Sequence, residues 1–361
     1  MKRKILLLIV LTALGACLIA CRAQPVISPI PTAPPLAEEL IFYDWAEDMP
    51  QSVLDAFTEE YGVQVAYVTY ESQEEAMDNI KAGEVYDVVV MDNDAVPLLL
   101  ADNLLAEIDY RNVPNFDNIS LNFRDLAYDP GNKHSVPFNW GTTGLVVRSD
   151  LVEKLPTHWS SLWDPCYAGK IALREGVPYD FIGLTLKSLG FSINSEDPGE
   201  LEVALKRMLQ LKESAIFVGS YAEDAVPVLL SGEAVILVGW AEDVLLAREY
   251  SDDIVYILPE EGTLLWGDNF VIPANSPRKY TAEVFLNFLL RPEISAQITN
   301  ENYYATPNEA ARPFIEPDIL NDPVVFPSND ALANAEVFLP RSVEGAKLWD
   351  EIWERFMAGG A

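Results

Sequence analysis

Histidine and cysteine are nearly absent from this chain: two His and three Cys in 361 residues. With only His134 and His158 present, a histidine-based metal cluster is excluded. Cys17 and Cys21 lie close to the N-terminus, which leaves Cys166 alone in the body, so no internal disulfide can form there. Cys166 reads as a small buried apolar residue. Basic residues are also scarce, 24 Lys+Arg against 56 Asp+Glu, for a formal charge of -32. Nucleic acid and anionic membrane surfaces are poor partners for such a body, and cations are natural ones. The plainer role for the acidity is solubility. No Gly-x-x-x-x-Gly-Lys-Ser/Thr, His-Glu-x-x-His or Gly-x-Ser-x-Gly motif occurs, which removes the P-loop, zincin and nucleophile-elbow readings. Neither metal nor cofactor is expected.

Half of the residues are hydrophobic, ample for a buried core and for two domains. The N-terminus reads as a targeting leader. Lys2, Arg3 and Lys4 precede an apolar run from Ile5 to Leu14, too short to span a membrane as a mature helix. Leu18-Ile19-Ala20-Cys21 has the form of a lipobox, with Cys21 as the lipidated first mature residue. Leu14-Gly15-Ala16-Cys17 overlaps it and fits more loosely; Cys21 leaves the fuller apolar run. A lipid on a terminal cysteine anchors a protein without spanning the bilayer. Residues 22–39 contain Pro25, Pro29, Pro31, Pro34 and Pro35 and read as a semi-rigid tether.

The body is expected from Leu40. A strand to Trp45 precedes a helix capped by Ser52 and stopped by Gly62. A strand from Val63 to Tyr70, a helix ended by Gly83 and a short apolar strand with no polar face from Asp87 to Met91 complete a β-α-β-α-β unit. That is the signature of an open α/β sheet. Gly141 to Gly144 reads as a crossover into a second domain, where the same rhythm resumes. Ligands of open α/β sheets gather beyond the carboxyl ends of strands. Those ends here carry aromatic and acid in pairs: Trp45 with Glu47, Trp240 with Glu242 and Asp243, Trp266 with Asp268. Asp92 and Asp94 stand at another such end. Residues i and i+2 of a strand share a face, so Trp266 and Asp268 can offer a ring and an anion to one space. That pairing suits an organic cation. The ordinary alternative is a core tryptophan beside a solvated aspartate. A two-carboxylate glycosidase is also compatible with these residue types, given one carboxyl of raised pKa.

Several segments taken in order resemble the polyamine-binding receptors of bacterial ABC importers, within the extracellular solute-binding proteins. They are Phe42-Tyr43-Asp44-Trp45-Ala46-Glu47, Tyr86-Asp87-Val88-Val89-Val90 and Val136-Pro137-Phe138-Asn139-Trp140-Gly141-Thr142-Thr143-Gly144. Gly239-Trp240-Ala241-Glu242-Asp243, Leu265-Trp266-Gly267-Asp268 and Phe288-Leu289-Leu290-Arg291-Pro292-Glu293 follow. The resemblance covers roughly residues 40–358. It implies a two-lobed, periplasmic-binding-protein-like (type II) α/β fold, each lobe an open, mostly parallel sheet flanked by helices, with the ligand cleft between. Residues 40–143 with about 268–308 would form one lobe. Residues 144–267 with 309–361 would form the other.

The resemblance also implies ligand-binding roles. Trp45, Trp240 and Trp266 would pack on the amine. Glu47, Asp243 and Asp268 would grip it, and Tyr304 would line the cleft. Asp92 and Asp94 stand where relatives often carry serine and an aromatic or small residue. Acids that relatives carry near Gly176 and Tyr179 are missing here, and the adjacent Asp180 is expected to point elsewhere. Asp92 or Asp94 would then replace the lost charge beside Tyr179. The implied protein is not an enzyme. It is a lipid-anchored, extracytoplasmic monomer that carries a linear polyamine such as putrescine or spermidine to ABC permease subunits.

Overall fold

A computed structural model describes residues 33–46, 48–175, 177–219 and 222–359. The leader, Cys17, Cys21, Glu47 and Gly176 lie outside the described residues. Packing begins at Leu36, a few residues before the expected start: Leu36 touches the first core, and the Ala37 N–H donates to Thr281 Oγ1 at 2.9 Å.

The strands are β1 (Glu39–Trp45), β2 (Gln64–Tyr70), β3 (Val88–Asp92), β4 (Ser135–Arg148) and β5 (Ile171–Arg174). They continue with β6 (Ala215–Val218), β7 (Ile236–Gly239), β8 (Ile254–Ile257), β9 (Leu264–Val271) and β10 (Glu336–Val337). Their order is β2-β1-β3-β9-β4-β7-β5-β6, with β10 added to β9 and β8 to β4. The helical crossovers make β1 parallel to β2 and β3, and β5 parallel to β6 and β7. β4 and β9 pair antiparallel with each other and with β3, β7 and β8, while β10 joins β9 in parallel.

Side chains alternate along these strands as period two requires. Val88 and Val90 enter one core with Phe42 and Phe270; Val89 and Met91 enter another with Tyr43 and Val271. Farther along, Leu145, Ile171 and Ile236 face one core while Val146, Ala172 and Leu237 face its opposite. Helices thus cover both faces of both halves, giving two lobes. β4, 14 residues long, runs through both. It pairs with β9 over Ser135 to Thr143, then with β7 and β8 from Gly144 onward.

Two local expectations are corrected. The first helix, Gln51–Tyr61, begins after Pro50 without a side-chain cap. Ser52 lies inside its first turn, where its hydroxyl meets Gln297 and Glu301 instead. Cys166 is exposed, not buried. It sits in a single 3₁₀ turn, Pro165–Tyr167, whose N-terminus Asp164 caps. As expected, Trp266 and Asp268 lie in one strand, where Leu264 to Asp268 pair with β4. No helix among the described residues is long and apolar enough to cross a membrane.

Candidate functional site

Two carboxyl groups face each other at the centre of the molecule. Asp92 ends β3, Asp268 lies in β9, and the antiparallel register sets them directly opposite. Like charges in that position repel. Burial pushes Asp268 up to about 7, and the nearby Asp48 and Asp44 add to the rise, while Asp92 and the Trp45 side chain act against it. Asp92 is raised well above the carboxylate range by its enclosure and then by Asp268. Two such groups hold one proton between them more readily than two charges.

Asp92, but not Asp268, borders a space of about 90 Å³ lined also by Trp45, Asp94, Tyr179, Asp180 and Trp266, with Gln73, Glu74, Asn93 and Phe338 among its other walls. At ~10–15 Å³ per water-sized group, it has room for roughly six to nine such groups. Trp266 and Trp45 are both half-buried. The Trp266 ring lies against Gly141, its cross-strand partner: a Cβ there would come within 2.3 Å of the ring. Tyr304 packs edge-on against Trp266 at 5.0 Å and donates to Glu242 Oε2 at 2.7 Å. Tyr304 therefore supports Trp266 from behind rather than lining the cavity. The Trp266 indole N–H has no hydrogen-bond partner among the described residues. Trp45 packs on Tyr70 with ring centres 4.5 Å apart.

The remaining expected residues are placed differently. Asp243 is fully buried and pairs with Arg174, while its second oxygen accepts the Trp240 backbone N–H at 2.8 Å. The Arg174 guanidinium covers the Trp240 ring at 4.4 Å. One face of Trp240 and the charge of Asp243 are thus already engaged by an internal cation. Trp240 lines a small side pocket that shares Val177 and Asp180 with the main cavity. Its indole N–H donates to Thr143 Oγ1 at 3.2 Å, and Thr143 donates in turn to Asp180 Oδ2 at 2.7 Å. Asp94 is buried at the cavity edge, where Gln73 donates to it at 3.2 Å.

Asp180 is a correction. It lines the cavity instead of pointing away, because it falls in the first turn of the helix Pro178–Ser188, just past the carboxyl end of β5. Burial raises it to about 6. The same strand-end rule that selected Trp45 and Asp92 selects this position too. Asp48 and Asp44 were also missed as part of the acid cluster. Asp44 is raised by burial; Asp48 is raised by burial and by Asp44, Glu242 and Asp92. Among the described residues, no cluster of His, Cys, Asp and Glu could hold a metal ion.

An aromatic-walled, acid-rich cavity beneath two lobes of this topology defines an extracellular solute-binding protein. The model of that family, described as the bacterial extracellular solute-binding protein, matches residues 52–327, and the chain belongs to it. As a member of that family it is a solute-binding protein and not an enzyme. The chain is 32% identical over 324 residues to the spermidine/putrescine-binding periplasmic protein of Escherichia coli (strain K12), covering 89% of this chain and 92% of that one. It is 28% identical to a putrescine/agmatine-binding protein of Pseudomonas aeruginosa, covering 88% and 91% of the two chains. Among solved structures, the spermidine/putrescine ABC transporter substrate-binding protein PotD from Streptococcus pneumoniae superposes with a TM-score of 0.77 at 29% identity. That match spans 90% of this chain and 100% of the other.

Proposed function

We propose that this protein captures a linear polyamine from outside the cytoplasm and delivers it to an ABC importer. The observation that carries the reading is the Asp92–Asp268 pair, crowded by other carboxyls, with Asp92 opening onto a cavity that Trp45 and Trp266 also line. An ammonium placed there relieves the repulsion. Each ammonium over a ring face contributes ~0.5–2 kcal/mol, and each charge-assisted hydrogen bond ~1.5–3 kcal/mol. Two ammoniums held this way, less the cost of association, support micromolar binding or tighter. Asp180 takes an amine on the other lobe, with Trp240 and Thr143 fixing its orientation. Glu47 is a further acid for the amine, and Tyr304 braces Trp266. Asp243 serves the fold more than the ligand.

Closure is a hinge motion between two states, and the ligand favours the closed one by bridging the lobes. The hinge falls where β4 changes partners, at Thr143–Gly144, and at Gly267–Asp268 in β9. The lobes accordingly comprise 40–143 with 268–308, and 144–267 with 309–361. The chain is held to the outer face of the membrane through a lipid on Cys21 and works as a monomer. Mass spectrometry of the mature protein should find an acylated Cys21 at its N-terminus; an unmodified or differently cut chain contradicts the anchor. Titration with putrescine, spermidine and spermine, with glutamate as control, tests the ligand class. Binding of at least one amine and not of glutamate is expected. Silence from all three amines would overturn the reading.

A further inference from the structure

Arg341 follows β10 in a loop and reaches the edge of the cavity. Its guanidinium carbon lies 4.3 Å from the centre of the Tyr179 ring, 4.1 Å from Trp349 and 5.3 Å from Phe338. Tyr179 and Phe338 are walls of the cavity. One terminal nitrogen donates to Asp94 Oδ2 at 3.4 Å, and Asp94 is a wall as well. Both side chains are buried, 8% exposed for Arg341 and 10% for Asp94. The Arg341 Nε and its other terminal nitrogen have no hydrogen-bond partner among the described residues. A guanidinium carries five donors. One held by a single long hydrogen bond owes its place mainly to the ring faces around it. Asp350 and Glu196 add attraction from the same side, and Glu74 adds charge beside Asp94.

Three aromatic rings and one carboxylate make a seat for an organic cation. It adjoins the amine cavity, and the chain's own arginine already sits in it. We infer that Arg341 occupies the position a third ammonium would take, and so makes the cleft selective for diamines over longer polyamines. This rests on the polyamine reading given above. Two amine positions remain, one at Asp92 and Asp268 and one at Asp180. The open space of about 90 Å³, at ~10–15 Å³ per water-sized group, suits a diamine and falls short for a triamine in full contact. A longer chain would have to displace the guanidinium from Asp94 or leave its last ammonium unpaired.

The test is calorimetry on the full chain with putrescine, spermidine and spermine, for the wild type, Arg341→Met and Arg341→Lys. The wild type should bind putrescine at least tenfold more tightly than spermidine. Arg341→Met keeps an apolar stem and removes the charge. It should gain at least tenfold for spermidine while putrescine changes less than threefold. Arg341→Lys should keep the preference for the diamine. Equal affinity of the wild type for putrescine and spermidine would overturn the inference, even if the variants fail to fold. So would an unchanged ratio in a folded Arg341→Met. Either result leaves the polyamine reading standing, whereas no binding of any amine to the wild type removes both.

Discussion

Asp268 and Asp92 cannot both be charged at their observed positions without a cation close by. Binding an amine therefore pulls a proton off the pair, and affinity should rise with pH through about 7, the value to which Asp268 is pushed. Below that pH the pair keeps its proton and the amine loses its counter-charge. Asp268→Asn should weaken putrescine binding at least tenfold and flatten the pH dependence between pH 6 and 8. A variant with wild-type affinity would take Asp268 out of the site. That Trp266 and Asp268 share one strand could be read from the sequence, because residues two apart there have their geometry fixed by the backbone. Asp180 could have been found by the same rule. The resemblance places its neighbour Tyr179 at the cleft, and both residues line the cavity. Arg341 carries no local signal at all. It belongs to a loop, and its partners Asp94, Tyr179 and Trp349 come from three separate segments.

At the scale of elements, β4 and β9 hold the site together. Gly141 has no side chain where the Trp266 ring lies against it, and Gly141→Ala would force the ring out of place. Amine binding should fall at least tenfold with a change in tryptophan fluorescence; unchanged binding would show that Trp266 is not a wall of the site. Arg174 and Asp243 tie the end of β5 to the first turn of the helix Ala241–Arg248. Breaking a buried pair by removing one partner costs about 3–5 kcal/mol. Arg174→Met should show a loss of that order in urea unfolding, and a loss under 1 kcal/mol would contradict it. Strands were legible where the apolar pattern is strong, as in β3. The cap at Ser52 was not, because Pro50 already sets the chain's entry into that helix. Asp243 reads as a ligand acid from its motif, and only the fold reveals Arg174 beside it.

For the whole molecule, the acids that make the cleft receptive also weaken the empty protein. Asp44, Asp48, Asp92, Asp180 and Asp268 are all raised in the folded chain. Between about pH 4 and about pH 7 the folded state thus holds protons that the unfolded chain has released, and stability falls as pH rises through that window. The ligand-free protein should melt at a higher temperature at pH 5 than at pH 8, and putrescine should narrow the difference. A melting temperature that climbs from pH 5 to pH 8 without ligand would contradict this. Exposed carboxyls held low by arginines, such as Asp109 beside Arg111 and Glu60 beside Arg291, lose their contribution only below about pH 4. The excess of acid over base was visible at once in the composition. Its concentration around one cavity was not, since Asp48, Asp92, Asp180 and Asp268 come together only when β1, β3, β9 and the helix after β5 converge.

The most direct test is a calorimetric titration of the wild-type protein with putrescine at pH 7, run in two buffers that differ in heat of ionisation. The cluster around Asp92 and Asp268 predicts saturable binding accompanied by release of protons into the buffer. Binding with no proton release, or no binding of putrescine, spermidine or spermine at all, would contradict it.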